Sequence, residues 1–260
     1  MGKKQARIIA VANEKGGVGK TVTVINLGAA LSQMDRSVLI VDMDPQANAT
    51  KGLGVVFEEG APSIYDVIMD SQNDTAAGTI VTTRWQGLDL LPSDVDLAGA
   101  EIELIDEAGR ENRLKDALKD VASDYDFILL DTPPSLSLLT INVFAFAREV
   151  IVPCQTHPYA YGALDELFDT ISAVQKEINP QLEISGIVPT LFDRRTRVSH
   201  QVLDKLRSDD TYKPLLYETL IRVNTTIADS AEVGKPVVFY RSGSYGAADY
   251  RELAREVLDR

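Results

Sequence analysis

The run Glu14-Lys15-Gly16-Gly17-Val18-Gly19-Lys20-Thr21 places three glycines, two lysines and a hydroxyl within eight positions. Glycines let successive backbone N–H groups turn inward with no Cβ in the way, and the lysine and hydroxyl that follow add a cation and an oxygen donor. This is the chemistry of a loop that cradles phosphates, with Lys20 reaching the β- and γ-phosphates of a nucleotide and the Thr21 hydroxyl ligating Mg²⁺. The run fits G-x-x-x-x-G-K-[ST] only loosely, because Glu14 stands where the first glycine belongs and Lys15 adds a second cation. A glycine-rich turn that binds nothing is the competing reading, and the flanking elements argue against it.

Residues 8–12 read as a buried strand and residues 22–31 as the helix after it. The loop therefore joins a strand end to a helix N-terminus, whose partial positive charge favours an anion. An apolar run at 37–41 leads into Asp42-Met43-Asp44-Pro45-Gln46, and another at 127–130 leads into Asp131-Thr132-Pro133-Pro134-Ser135. In an open parallel sheet, ligands sit beyond the carboxyl ends of the strands, so three such ends converge on one crevice. Asp131 is then the candidate water-mediated Mg²⁺ partner, and Asp44 the candidate that orients an attacking water. Taken singly, either aspartate reads better as a cap or turn residue; their joint placement after apolar strands favours a site. Further strands are expected at 150–153 and 184–188, with helices near 162–178, 198–206 and 245–258. Strands alternating with helices of that length predict an α/β fold, a doubly wound, mostly parallel sheet with helices on both faces. With 260 residues, 45% of them hydrophobic, a single domain spanning 1–260 is expected.

Five segments now bear on family: KGGVGKT at 15–21, VDMDPQANAT at 41–50, DTPPS at 131–135, GIVPTLFDRRT at 186–196 and GKPV at 234–237. On these the chain resembles the ParA/MinD family of deviant Walker P-loop ATPases, and most of all its short ParA/Soj branch, over nearly its whole length. The resemblance implies ATP and Mg²⁺ as cofactors and a homodimer when ATP is bound. Lys15 is implied to reach across that dimer to the partner's phosphates, with Lys20 and Asp44 completing the catalytic set. Gly16, Gly17, Val18, Gly19, Thr21, Val22 and Asp131 are implied to line the nucleotide, and Thr21, Asp44 and Asp131 to surround the metal. Asn224 matches an adenine-side asparagine, with Arg222 beside it. Two departures stand out: Val22 replaces a usual second threonine, and Thr226 stands where a lysine or arginine is common. Contact with DNA then falls to Arg194, Arg195, Arg197 and Arg222. Arg194 to Arg197 read equally well as a solvated loop before a helix, partly paired with Asp193.

A net charge of −13 by itself speaks against nucleic-acid binding. Its distribution relaxes that objection. Residues 58–131 hold 18 acidic against 5 basic side chains, the whole excess, whereas residues 190–222 hold 7 basic against 5 acidic. DNA binding is therefore expected to be non-specific and to rest on phosphate contacts repeated in a dimer. One cysteine, Cys154, permits no internal disulfide and no paired ligands for a dimer-bridging metal or cluster, and His157 and His200 read as ordinary polar residues. Residues 1–7 are polar with no apolar leader, and no run is long enough to span a bilayer. The expected location is cytoplasmic and nucleoid-associated, without stable membrane association.

The expected function is an ATP-dependent dimerising switch that partitions a chromosome or plasmid, with a ParB-like or cargo-adaptor partner stimulating hydrolysis. Two related readings remain open: positioning of a protein assembly over the nucleoid, and a MinD-like membrane-associated division regulator. The latter needs a basic amphipathic tail; residues 250–260 have the apolar spacing but three acidic charges among six. A metabolic ligase or kinase using the same loop lacks an evident acceptor domain.

Overall fold

The apolar runs near residues 8, 38 and 127 are too short for helices and apolar at successive positions, the mark of strands covered on both faces. A computed structural model, which describes residues 5–56, 58, 60–70, 75–158 and 160–260, places each of them in a sheet. Its strands are β1 (Arg7–Val11), β2 (Val38–Asp42), β3 (Val81–Thr82), β4 (Leu88–Leu91), β5 (Phe127–Asp131), β6 (Glu149–Gln155) and β7 (Glu183–Thr190). They lie in the order β3-β4-β2-β5-β1-β6-β7. Every pairing is parallel except that of β3 with β4. Residues 1–4 of the polar N-terminus lie outside the described residues.

The helices are α1 (Lys20–Ser32), α2 (Asn48–Gly52), α3 (Ile64–Met69), α4 (Ala76–Thr79), α5 (Leu97–Glu103) and α6 (Arg113–Leu118), followed by α7 (Leu138–Phe146), α8 (Ala160–Glu177), α9 (Arg197–Ser208), α10 (Thr225–Glu232), α11 (Val237–Tyr240) and α12 (Tyr245–Asp259). Alternation along the strands divides the core in two. Ile8, Ala10, Leu39, Val41, Ile128 and Leu130 pack with Val67, Leu97, Leu114 and Phe144 on one face. Ile9, Val11, Val38, Ile40, Phe127 and Leu129 pack with Leu27, Leu31, Leu53, Tyr250 and Leu253 on the other. The sheet is thus doubly wound, as the strand–helix alternation predicts.

The expected elements are present with ends shifted by a few residues. The short β3 and β4, which extend the sheet by an antiparallel edge, and helices α2 to α7, α10 and α11 come from the structure alone. The tail stripe of the membrane reading is accounted for, since Tyr250, Leu253, Ala254 and Val257 of α12 are buried in the core that α1 shares. Among the described residues no helix is long and apolar enough to cross a membrane.

Register sets the site. Val11 of β1 and Asp42 of β2 both pair with Asp131 of β5, so three strand ends finish level. The chain leaves β1 for β2 and later threads β5 between them, which opens a crevice above that point.

Candidate functional site

The loop from β1 to α1 is shaped by its glycines and pinned by polar contacts. Gly17 and Gly19 adopt left-handed φ of 75° and 95°, which any side chain would strain. Buried Asn13 accepts from the Lys15 N–H at 2.9 Å and donates to the Pro153 carbonyl at 2.8 Å, fastening the loop to β6. Thr190 at the end of β7 donates to the Val18 carbonyl at 2.7 Å. A Cβ built on Gly16, Gly17 or Gly19 meets nothing within 4 Å, so each faces open space that an anion can fill. Glu14, where the ordinary loop has glycine, has its carboxyl pushed up by burial and by Glu166 of α8.

Lys20, Thr21, Asp44 and Asp131 converge beneath this cradle. Lys20 is buried and donates to the Lys15 carbonyl at 3.2 Å. Burial lowers its pKa, opposed by the charges of Asp131 and Asp44. Both carboxyl oxygens of Asp131 are buried without a hydrogen-bond partner. Its pKa is raised well above the usual range by burial and by Asp42 beside it, while the Thr21 hydroxyl and Lys20 act in the opposite sense. A buried carboxyl with no donor is costly unless a cation or ordered water joins it. The Thr21 hydroxyl and the Asp131 carboxyl beside it fit Mg²⁺, which takes one or two protein oxygens together with nucleotide phosphates and waters.

Asp44 sits in a loop held by supports that no local pattern announces. Its Oδ1 accepts from the Gln46 N–H at 2.9 Å, and its carbonyl accepts from the Ser93 hydroxyl at 2.9 Å. Asp42 anchors the loop from below: it accepts from the Thr50 N–H and hydroxyl, both at 2.8 Å, and from the Asp44 N–H at 3.2 Å. Burial pushes the Asp42 carboxyl up to about 6, against the effect of those hydrogen bonds. Thr50 in turn accepts from the Ser93 N–H at 3.1 Å. Asp42, Thr50 and Ser93 are not among the expected site residues; the only signal for them is a charged residue closing an apolar strand.

Two cavities meet at the loop. One of about 540 Å³ is lined by Gly16, Lys20, Thr21, Asp44, Asn48 and Pro134. The other, about 230 Å³ and mostly apolar, is lined by Leu191, Ile221, Arg222, Asn224, Ile227 and Ala228. Gly17, Gly19, Val22 and Ala231 border both. A triphosphate in the first and a base in the second would be continuous through Val22, and the donor set fits Mg-ATP. Asn224 caps α10, its side chain accepting from the Thr226 N–H at 2.8 Å.

The four arginines expected to meet DNA part company. Arg222 hydrogen-bonds Asp249 through Nε and Nη2, stacks at 4.5 Å over the Tyr245 ring, and has a side chain only 19% exposed. It is a wall of the apolar cavity and its charge is engaged inside the fold, which corrects its placement among the DNA-facing cations. Arg194, Arg195 and Arg197 are exposed on the loop and first turn of α9. Arg195 pairs with Asp193 at 2.9 Å and draws that carboxyl down to about 2, yet its side chain is 85% exposed. His200 packs edge-on against Phe192 and donates to the Arg194 carbonyl, an ordinary surface role. Cys154 is buried, with its thiol pushed up to about 12.

Comparison with known proteins adds to this geometry. Residues 6–184 match the family model described as an AAA domain. The chain is 41% identical over 251 residues to the sporulation initiation inhibitor protein Soj of Bacillus subtilis, covering 96% of this chain and 98% of that one. It is 41% identical over 262 residues to the chromosome partitioning protein ParA of Caulobacter vibrioides, covering 100% and 97%. Among solved structures, it is similar to the cobyrinic acid a,c-diamide synthase of Mycobacterium smegmatis with bound ATP analogue and magnesium, at a TM-score of 0.80 and 38% identity over 97% and 94% of the two chains.

Proposed function

We propose, from the premise that this chain belongs to the ParA/MinD family of P-loop ATPases and to its Soj/ParA branch, that it hydrolyses ATP with Mg²⁺ to partition a chromosome or plasmid. The observation that carries the reading is the convergence of Lys20, Thr21 and the unpartnered carboxyl of Asp131 beneath an open glycine cradle. Bound Mg²⁺ would neutralise phosphate charge there, with Thr21 and Asp131 beside it. Lys20 holds a desolvated ammonium toward the β- and γ-phosphates, where a low dielectric strengthens its pull. Asp44, with one oxygen fixed by Gln46, keeps the other to accept from an attacking water. The apolar cavity takes the base.

The remaining steps extend this proposal. Lys15 reaches a partner subunit's nucleotide, so that ATP closes a homodimer; the dimer binds DNA without sequence preference through Arg194, Arg195 and Arg197; a ParB-like or cargo-adaptor protein sets the timing of hydrolysis. A single domain over 1–260 acting at the nucleoid is part of the same reading. Gel shifts on unrelated duplex DNA with ATP, ADP or no nucleotide test it. Retention with ATP alone is expected, together with its loss in Lys15→Gln, which still binds ATP. Equal retention in all three conditions would sink the switch, and turnover that requires a corrinoid acid acceptor would favour a synthase instead.

A further inference from the structure

The end of the sheet away from the phosphate loop holds a further cavity, of about 470 Å³. It lies where β1 and β6 begin, between α6, the end of α7 and the loop from α8 to β7. The five residues of β1, at about 3.3 Å each, separate it from the nucleotide cradle, so it is no part of the site described above.

Lys115, Lys119 and Arg148 line this cavity, and no carboxylate does. Among the described residues none of the three pairs with an acid or spends its side chain on a hydrogen bond. That runs against the local trend, because residues 58–131 hold 5 cations against 18 acids and two of the five face this one cavity. Arg148 is half-buried and its backbone is clamped: its N–H donates to the Ile8 carbonyl and its carbonyl accepts from the Glu183 N–H, both at 2.9 Å. A fixed guanidinium partly withdrawn from water gains most from an anion that reaches it.

The walls are built in advance. Asn179 donates through Nδ2 to the Phe144 and Ala147 carbonyls at 2.8 and 2.6 Å, tying the end of α7 to the α8–β7 loop. Carbonyls at a helix end carry partial negative charge, and satisfying them lessens their repulsion of an anion. Buried Ile8, Ala145 and Phe146 supply apolar wall beside the cations. Three cations next to apolar surface, in a space of this size, select a small molecule with a dianionic head and an apolar body. A duplex nucleic acid fits less well: Asp120 and Asp124 are exposed in the same segment and would repel an extended polyanion.

We propose that this cavity binds a small organic phosphate, its head among Lys115, Lys119 and Arg148 and its apolar body against Phe146.

The test uses the full chain with phenyl phosphate as probe, and inorganic phosphate, benzoate and benzyl alcohol for comparison. Saturating Mg-ADP keeps the phosphate loop filled, and amide exchange locates the probe whatever that loop holds. Phenyl phosphate is expected to slow exchange across residues 115–123 and 145–148, and to bind at least tenfold more tightly than any of the other three. The double variant Lys115→Gln/Lys119→Gln, both sites exposed, should weaken it at least tenfold while melting temperature and ATP turnover stay unchanged. Lys115→Arg/Lys119→Arg should keep the affinity. Absence of binding, protection confined to residues 16–21, or unchanged affinity in the glutamine variant overturns the site. Benzyl alcohol binding equally well overturns the role of charge, and inorganic phosphate doing so overturns the organic body. Benzoate binding equally well replaces the phosphate with a carboxylate and overturns the class. Displacement of the probe by unrelated duplex DNA overturns the small molecule in favour of a nucleic acid. Failure of Mg-ADP to bind would instead count against the nucleotide reading and leave the exchange map of the probe standing.

Discussion

Burial away from solvent favours the protonated form of a carboxyl, and Asp42 and Asp131 are register partners that are both buried. Folding raises Asp42 from an ordinary 3.8 to about 6. Stability from such a group is full below the unfolded value and is lost as pH rises through the folded one. In nucleotide-free, magnesium-free protein the melting temperature should therefore fall between about pH 4 and pH 7, and Asp42→Asn should flatten that fall; thermal melts across the range check it. Gly16 makes a second prediction at this scale. Its φ is not in the left-handed region and a Cβ there meets nothing, so Gly16→Ala should leave the melting temperature within about 1 °C, the effect of well under 1 kcal/mol. The added methyl stands in the phosphate cradle, and ATP affinity measured by titration calorimetry should drop at least tenfold. For Asp44→Ala, turnover should fall by roughly 10²-fold while ATP still binds, as expected when a general base is removed.

Two glycines let the ends of α2 and α10 approach closely. Gly54 follows α2 and Gly234 follows α10, both with positive φ, and a Cβ on Gly234 would lie 2.6 Å from the Gly54 Cα and 2.9 Å from its nitrogen. Arg84 donates to the Gly234 carbonyl at 2.8 Å and covers Trp85, whose ring stacks on Phe239 at 4.5 Å. Gly234→Ala must move backbone against backbone, and urea unfolding should show a loss of about 1–3 kcal/mol. This joint also shows what a sequence can reveal. The strands β1, β2 and β5 and the cradle are legible because each rests on a local pattern: successive apolar residues, then glycines, then Lys20-Thr21. The pairing of Gly54 with Gly234, and of Thr50 with Asp42 and Ser93, depends on residues brought together by the sheet order. Nothing nearby in the chain announces them. Likewise Arg222 reads as a free cation in the sequence, because its partner Asp249 lies far along the chain on α12.

The molecule as a whole carries its excess acid in residues 58–131 and keeps exposed arginines at the start of α9. If those arginines meet phosphates, binding must weaken steeply with salt. Removing Arg194, Arg195 or Arg197 should shallow the log K against log salt slope by about 0.9 for each phosphate no longer neutralised, doubled where two subunits bind together. Filter binding between about 50 and 200 mM salt, the range over which such binding weakens most, reads this directly. The packing of α1 against α12 has a further consequence, for the order in which the protein matures. Thr23 and Tyr250, 227 positions apart, sit 3.5 Å from each other behind the phosphate loop. On the ribosome the first of these helices emerges long before the second, and its apolar side waits uncovered. Nucleotide binding by the nascent chain is therefore expected only once α12 has been translated and covers the back of α1, and a chain ending before Tyr245 should show no ATP binding in titration calorimetry.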